Sequence, residues 1–177
     1  ASVAASEGKP EDALRLYIDA LRMDIHDLET YEAIDALFAS GALADGKKQL
    51  WRRVIEACPD SGRAYWYFAR ALKESGDADG ALAALGCAAE RSPRDAGVQA
   101  ELGRALLDAG RFDASIPPLR RAIEINPEIV YARLMLVAAF YQNGDRNEAR
   151  AELAQCRERN IEVPEDLVRA VEGGSVP

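Results

Sequence analysis

The chain has 177 residues, 49% of them hydrophobic and 29% charged, which is enough apolar material for the core of a folded protein. The formal net charge of −8 argues against nucleic acid as a partner, because an acidic surface repels phosphates. No apolar run reaches the roughly 18–20 residues of a membrane-spanning helix, and residues 1–10 lack the basic and apolar stretches of a signal peptide. We therefore expect no membrane span.

The cysteines also bear on the class of protein. Cys58, Cys87 and Cys156 form no Cys-x-x-Cys pair, and their number is odd. This pattern argues against a disulfide framework and against a zinc site. We expect a reducing, cytoplasmic setting and neither a metal nor a cofactor. The abundance of alanine, arginine and aspartate is typical of a GC-rich, bacterial genome.

The first predicted element is a single amphipathic helix within residues 1–27, with an apolar stripe formed by Leu14, Tyr17, Ile18 and Leu21. It matches only the second half of the repeat that follows, so residues 1–27 are predicted to be a partial repeat. The chain starts inside this unit and without methionine, which favours a fragment of a longer protein. A second copy of the chain could cover the stripe, so self-assembly is one hypothesis.

A period of 34 residues runs through the next part of the chain. Pro59, Pro93 and Pro127 are 34 residues apart, and so are Gly76, Gly110 and Gly144. Each glycine is predicted to end the first helix of a pair, and each proline the second. Apolar residues align in the same register: Phe68, Leu102 and Leu136; Leu72, Leu106 and Phe140; Leu85, Leu119 and Leu153; Ala88, Ala122 and Cys156. Residues 28–163 are therefore predicted to form four tandem helical hairpins.

Some positions depart from this pattern. In the first copy Lys47 replaces the small alanine of the other copies, so a looser helix pair is expected. Ser61 and Asp95 are predicted helix N-caps. Pro117 and Pro118 lie inside a predicted helix; if Asp113 is its N-cap, they weaken or bend the first turn.

The end of the chain is predicted to close the array. Residues 164–172 form a short amphipathic helix with Leu167, Val168 and Val171, of the kind that covers the open end of a repeat array. Residues 173–177 are predicted to be a frayed tail.

The repeat resembles the tetratricopeptide repeat family in residue type, with these matches in one copy: Tyr65, Phe68, Ala69, Leu72, Ala81, Leu85 and Pro93. The resemblance implies an all-α fold, a right-handed α-solenoid of antiparallel helix pairs. It also implies a concave groove lined by the first helix of each pair. The lysine-asparagine clamp with which some members bind chaperone tails is absent, because no copy has lysine and asparagine at the two positions concerned. The pairs there are Glu32 and Ala36, Trp66 and Arg70, Ala100 and Arg104, and Leu134 and Ala138.

The inward positions implied by the family give the candidate peptide-binding residues. They are Arg63, Trp66, Arg70, Lys73, Arg104, Tyr131, Leu134, Tyr141 and Gln142. Four of them are basic, against Glu74 and Asp108 nearby, and the set ends in aromatic and apolar residues. Arginine binds carboxylates through paired hydrogen bonds, and aromatic side chains bury area at low entropy cost. The expected partner segment is acidic and apolar.

No catalytic pattern accompanies the repeat. His26, the single histidine, lies at a predicted helix junction and is expected at the surface, without the positioned partner that a general base requires. The chain is predicted to be a protein–protein interaction scaffold, not an enzyme, that holds a peptide or helix of another protein. The alternatives are a substrate-recognition module of a larger enzyme and a self-assembling structural scaffold, in which case a homo-oligomer is expected.

Overall fold

The computed structural model describes residues 10–39 and 46–173, apart from the side chain of Phe38. Within these ranges the chain forms ten α-helices and no strand. They are α1 (Pro10–Met23), α2 (Leu28–Ala39), α3 (Lys47–Ala57), α4 (Gly62–Glu74), α5 (Ala78–Arg91), α6 (Ala96–Asp108), α7 (Phe112–Ile125), α8 (Val130–Asn143), α9 (Arg146–Glu158) and α10 (Glu165–Glu172). The predicted all-α class of paired helices is confirmed. The predicted frayed tail, from residue 174 onward, lies outside the described residues.

The 34-residue period is visible in the helix boundaries. The first helices of the pairs, α2, α4, α6 and α8, begin at residues 28, 62, 96 and 130. Gly76, Gly110 and Gly144 follow the first helices with φ angles of 81°, 70° and 91°. This left-handed conformation is open to glycine and strained for other residues, so the predicted role of these glycines in ending the helices is confirmed.

Side-chain caps fix the starts of several helices. The Ser61 hydroxyl accepts a hydrogen bond from the Ala64 N–H at 3.0 Å, and the Asp95 carboxylate accepts one from the Val98 N–H at 3.0 Å. Both predicted N-caps are therefore present.

Helix α7 begins earlier than the sequence suggested. Its N-cap is Arg111, which makes no side-chain capping bond, and Asp113 lies inside the first turn. The proposed cap at Asp113 was therefore wrong, because the helix starts two residues before the position that such a cap requires. Pro117 and Pro118 accordingly lie deeper in the helix, at its sixth and seventh residues, and Pro118 is buried. The first turn before them is supported by the Ser115 hydroxyl, which donates to the Phe112 carbonyl at 2.7 Å.

The chain divides into two compact units, Ala1–Ser92 (unit 1) and Pro93–Pro177 (unit 2). Unit 1 is centred on three stacked aromatic rings, one from each of α2, α3 and α4. The Trp51 ring lies 4.4 Å from the Tyr67 ring and 6.4 Å from the Tyr31 ring, measured between centroids. The Tyr31 hydroxyl donates to the Ile25 carbonyl at 2.9 Å and lies 2.5 Å from the Ser61 hydroxyl. This stack joins the first pair to the second inside unit 1.

Helix α1 buries its apolar stripe within unit 1. Leu14 and Leu21 are fully buried, and Tyr17 and Ile18 are partly buried against the same core. This stripe therefore needs no cover from a second copy, because α2 and α3 already cover it. Leu16 and Met23 remain exposed on the other side of α1.

Lys47 is accommodated by an ion pair that the other copies lack. Its ammonium lies 3.5 Å from the Asp35 carboxylate on α2 and 3.0 Å from the Glu74 carboxylate on α4. The equivalent residue pairs in the later copies are small or apolar: Ala69 and Ala81, Gly103 and Ser115, Val137 and Ala149. The close contact between two small residues is replaced here by two opposite charges, so a long lysine fits between the helices.

In unit 2 a glycine packs against a leucine where α6 meets α7. An ideal Cβ on Gly103 would lie only 2.5 Å from the Leu119 Cγ, so α6 approaches α7 at a distance that only glycine permits. Cys156 is fully buried, as predicted. Val171 of α10 is also fully buried, and Leu167 and Val168 pack against the same core.

Candidate peptide-binding surface

The nine predicted binding residues fall into two sets, one in each unit. Arg63, Trp66, Arg70 and Lys73 lie on α4 in unit 1, at spacings of three and four residues that place them on one face of the helix. We call them the α4 surface. Arg104 lies on α6 in unit 2, and Tyr131, Leu134, Tyr141 and Gln142 lie on α8, which packs directly against α6. We call these five the α6/α8 surface.

Trp66 is the centre of the α4 surface. Its side chain is partly buried against the core of unit 1, and its ring meets the Tyr67 ring nearly at right angles, 4.9 Å between centroids. The guanidinium carbons of Arg63 and Arg70 lie 5.7 and 5.0 Å from the Trp66 centroid, within the range of a cation–π contact. Trp66 is thus partly covered, and it is held in place by two cations and a ring.

Tyr67 is buried directly beneath this surface, and the sequence alone did not single it out. The Arg70 guanidinium also lies 5.4 Å from the Tyr67 ring. Burial raises the pKa of the Tyr67 hydroxyl; Asp35 and Glu32 of α2 add to the rise, and Arg70 and Arg63 oppose it. Acidic groups of α2 and basic groups of α4 therefore both act on this ring. The available signal was a second aromatic residue directly after Trp66.

Arg104 is engaged within its own helix. It forms an ion pair with Asp108 at 2.9 Å and another, closer one with Glu101. The hydrogen bond to Glu101 is the main reason that the pKa of Arg104 is raised. Its charge is already balanced by two carboxylates on α6, so little of it is left for a ligand. The three- and four-residue spacings of these acids are visible in the sequence.

Helix α8 contributes the aromatic part of the α6/α8 surface. Tyr131 is 41% exposed, and burial of the remainder raises the pKa of its hydroxyl, with Glu101 adding to the effect. The Tyr141 ring lies 4.7 Å from the Arg146 guanidinium. Leu134 is partly buried in the core of unit 2, and Gln142 is exposed. This surface therefore offers one accessible ring and one ring covered by a cation.

Groups that could perform chemistry are sparse across the described residues 10–39 and 46–173. They contain no cluster of three histidine, cysteine or acidic side chains able to hold a metal ion. His26 is exposed, with its backbone N–H bonded to the Asp24 carboxylate. Burial raises the thiol pKa of both Cys58 and Cys156, which keeps these thiols protonated and unreactive.

Within residues 10–39 and 46–173, every helix is too short or too polar to cross a bilayer.

Two proteins of known sequence are similar to 71% of the chain. It is 29% identical over 128 residues to cellulose synthase operon protein C of Escherichia coli K12, and equally to the putative protein of that name in Escherichia coli O157:H7. The match covers 71% of this chain but only 11% of those relatives, so the chain spans about a tenth of their length.

Solved structures match nearly the whole chain at low identity. The crystal structure of the MamA protein has a TM-score of 0.65 at 21% identity, covering 99% of this chain and 93% of MamA. The structure of YrrB, described as a TPR protein with an unusual peptide-binding site, has a TM-score of 0.59 at 17% identity, covering 98% of this chain and 83% of YrrB. At these identities the likeness shows a shared fold.

Family models agree with the 34-residue period and with these structures. Two models described as tetratricopeptide repeat match residues 68–128 and residues 106–160. Together they span more than half of the sequence. The chain belongs to the tetratricopeptide repeat family.

Proposed function

We propose that this protein is a non-catalytic interaction scaffold that holds a peptide or helix of a partner protein against the first helices of its pairs. The observation that carries the proposal is that aromatic side chains remain accessible at first-helix positions in both units. Tyr131 on α8 is 41% exposed, and Trp66 on α4 is only partly covered. Rings of this kind commonly supply most of the affinity of a protein interface.

The rings are also held in fixed positions, which favours binding. Trp66 is held between Arg63 and Arg70, and it meets Tyr67 edge-on. A side chain that is already ordered loses little conformational entropy when a ligand covers it. The α4 and α6/α8 surfaces therefore suit a segment with apolar residues that dock on these rings.

The family gives general support only. Tetratricopeptide repeat proteins serve many partners, so the fold does not identify a ligand. YrrB is described as having a peptide-binding site, and it shares this fold. The partner class that we propose, a protein segment, agrees with that description.

The test is a selection followed by calorimetry. A random peptide library displayed on phage is selected against the immobilised protein, and the recovered peptides are titrated into the wild type and into two variants, Trp66→Ala and Tyr131→Ala. Each truncation is expected to weaken binding at the surface it belongs to by about tenfold or more, as for an interface hot spot. Arg121→Ala is the matched control, because Arg121 is an exposed residue on the second helix α7.

Two results would contradict the proposal. One is a selection that yields no binding peptide. The other is a set of peptides whose affinity is unchanged in both aromatic variants. These truncations are cleaner than a charge reversal at Arg104, since that change would also break the ion pairs with Glu101 and Asp108 inside α6.

A second candidate is a recognition module of a larger enzyme system. The observation that favours it is the 128-residue match to cellulose synthase operon protein C, of which this segment corresponds to 11%. A catalytic domain encoded in the same reading frame would support this candidate, and full-length sequencing of the transcript tests it. A reading frame that contains only tetratricopeptide repeats would contradict it.

Self-assembly is the third candidate, and its remaining surface is the exposed side of α1. Leu16 is 48% exposed and Met23 is 90% exposed. Sedimentation velocity across a dilution series tests it, with Leu16→Glu as the disrupting variant. A mass that stays monomeric at every concentration would exclude this candidate.

A further inference from the structure

The α4 surface contains two cations without a carboxylate partner. Among the described residues, no acidic oxygen lies within 4.0 Å of Arg70 or Lys73, and no hydrogen-bond acceptor is bound to either side chain. Glu74 is the nearest acid along α4, but its carboxylate is bound to the Lys47 ammonium at 3.0 and 3.1 Å. Glu74, the one acid on α4 that could balance Arg70 and Lys73, is therefore already paired with a lysine of α3.

Arg70 is also held in place by two aromatic rings. Its guanidinium carbon lies 5.0 Å from the Trp66 centroid and 5.4 Å from the Tyr67 centroid. These two rings, which are nearly perpendicular to each other, restrict where the guanidinium can lie, and the guanidinium carries five N–H donors in one plane. A carboxylate accepts two of these N–H groups side by side. An arginine held in this way loses less freedom on binding an acid than a mobile one does.

The surroundings favour a carboxylate over a polyanion. Glu32 and Asp35 on α2 act on Tyr67, which directly contacts Arg70. The protein as a whole carries a net charge of −8. A phosphate chain, with several negative charges, would meet more repulsion from both sources than a single carboxylate, which carries one. The Trp66 ring next to Arg70 suits an apolar residue beside that carboxylate.

We propose that Arg70, with Trp66 behind it and Lys73 one turn further along α4, is the anchoring subsite for an aspartate or glutamate side chain within the partner segment. This inference rests on the proposed function and specifies the partner's chemistry at one position. It also distinguishes Arg70 from Arg104, two basic residues that the sequence placed in the same candidate set. Arg70 is open to a ligand, whereas Arg104 is already paired with Glu101 and Asp108.

The experiment uses the peptides recovered by the selection described above, synthesised with blocked ends. For each peptide, a twin carries glutamine or asparagine in place of every glutamate or aspartate, and a further twin has a free carboxyl terminus. All are titrated by calorimetry into the wild type, Arg70→Gln and Lys48→Gln. Lys48 is the matched control, because it is an exposed cation on the second helix α3 of the same unit.

The expected result has three parts. Peptides that bind unit 1 are enriched in acidic residues, and their amide twins bind the wild type about tenfold more weakly, as expected for the loss of a charged hydrogen bond. Arg70→Gln removes most of this difference between the acidic peptide and its twin. Lys48→Gln leaves the difference unchanged.

Several results would overturn the inference while leaving the proposed function in place. Recovered peptides without acidic residues would do so, and so would a preference for the acidic peptide that persists in Arg70→Gln. If only the twin with a free carboxyl terminus binds more tightly, and the blocked acidic peptide binds no better than its amide twin, the subsite takes a chain terminus and not a side chain. If no peptide binds at all, both the inference and the proposed function fail.

Discussion

The ion pair between Arg133 on α8 and Glu152 on α9 gives the sharpest stability prediction. The two side chains are 4% and 10% exposed, and the Arg133 Nη1 lies 2.6 Å from the Glu152 Oε1. Glu152→Leu would leave the guanidinium buried without its counter-ion. Breaking a buried pair from one side typically costs about 3–5 kcal/mol. Arg133 keeps a hydrogen bond to Gln155 at 3.3 Å, so we expect a value near the lower end of that range.

The double variant Arg133→Met/Glu152→Leu separates this explanation from simple loss of packing. It removes both charges and keeps apolar side chains of similar length, so no unpaired charge remains. We expect its free energy of unfolding to lie within about 1 kcal/mol of the wild type, or above it. The single variant is then less stable than the double one, although it carries fewer changes.

Urea unfolding followed by circular dichroism at the helical band measures both variants. With a typical urea slope of about 1–3 kcal/mol/M, the single variant should lower the midpoint by about 1 M or more. The control is Arg121→Met/Glu124→Leu, which removes an exposed pair 3.5 Å apart on α7 and should change stability by less than about 1 kcal/mol. A single variant as stable as the wild type would refute the reasoning, and so would a double variant as unstable as the single.

Two further predictions concern helix packing and acid stability. Gly103→Ala should lower the free energy of unfolding by about 1–3 kcal/mol, because the added Cβ would overlap Leu119. The control Gly86→Ala has no atom within 4 Å of the added Cβ and should be neutral or stabilising. Equal effects of the two variants in urea unfolding would contradict this prediction. The hydrogen bond from Arg53 lowers the pKa of Glu11, so this pair stabilises the fold above the unfolded-state pKa near 4.5 and is lost as the pH falls through the lowered value. Glu11→Gln should therefore flatten the acid side of the stability profile; because the pair is about half exposed, the cost at neutral pH should stay below about 1 kcal/mol, and an unchanged acid profile would argue against the pair.

The fold was predictable from the sequence because its boundaries depend on chemistry that repeats. A glycine at a left-handed position and a proline after a helix act locally, so Gly110 and Pro127 could be interpreted without knowing their neighbours. The start of α7 was less predictable. Arg111, the N-cap of that helix, makes no side-chain capping bond, so the sequence carried no capping signal at its true start.

The pairing of charges was less accessible, because it depends on which helices meet. Lys47 looked like a defect in the period until Asp35 was found opposite it. The same ammonium also binds Glu74, which leaves Arg70 unbalanced. Asp35 and Lys47 both replace small or apolar residues of the later copies, so a comparison of these two repeat positions could have found the first pair. The second pair involves an exposed side chain outside those columns, so only the structure revealed it.

The charge balance of Arg104 could have been found from the sequence. Glu101 and Asp108 lie three and four residues from it on one helix, the spacing at which side chains meet. The period placed Trp66 on a first helix, where the structure also has it, whereas its position on the inner face was implied by the family resemblance. Its partial burial was not predictable, because it depends on contacts with Tyr67 and the core of unit 1.

The most direct test of the account is the location of a bound peptide, mapped by nuclear magnetic resonance on the uniformly labelled protein. A recovered peptide is added in steps, and the backbone amide shifts of every helix are followed. We expect the largest changes on first helices, namely α4 for acidic peptides and α8 for peptides that dock on Tyr131. Shifts concentrated on the second helices α5, α7 and α9 would contradict it.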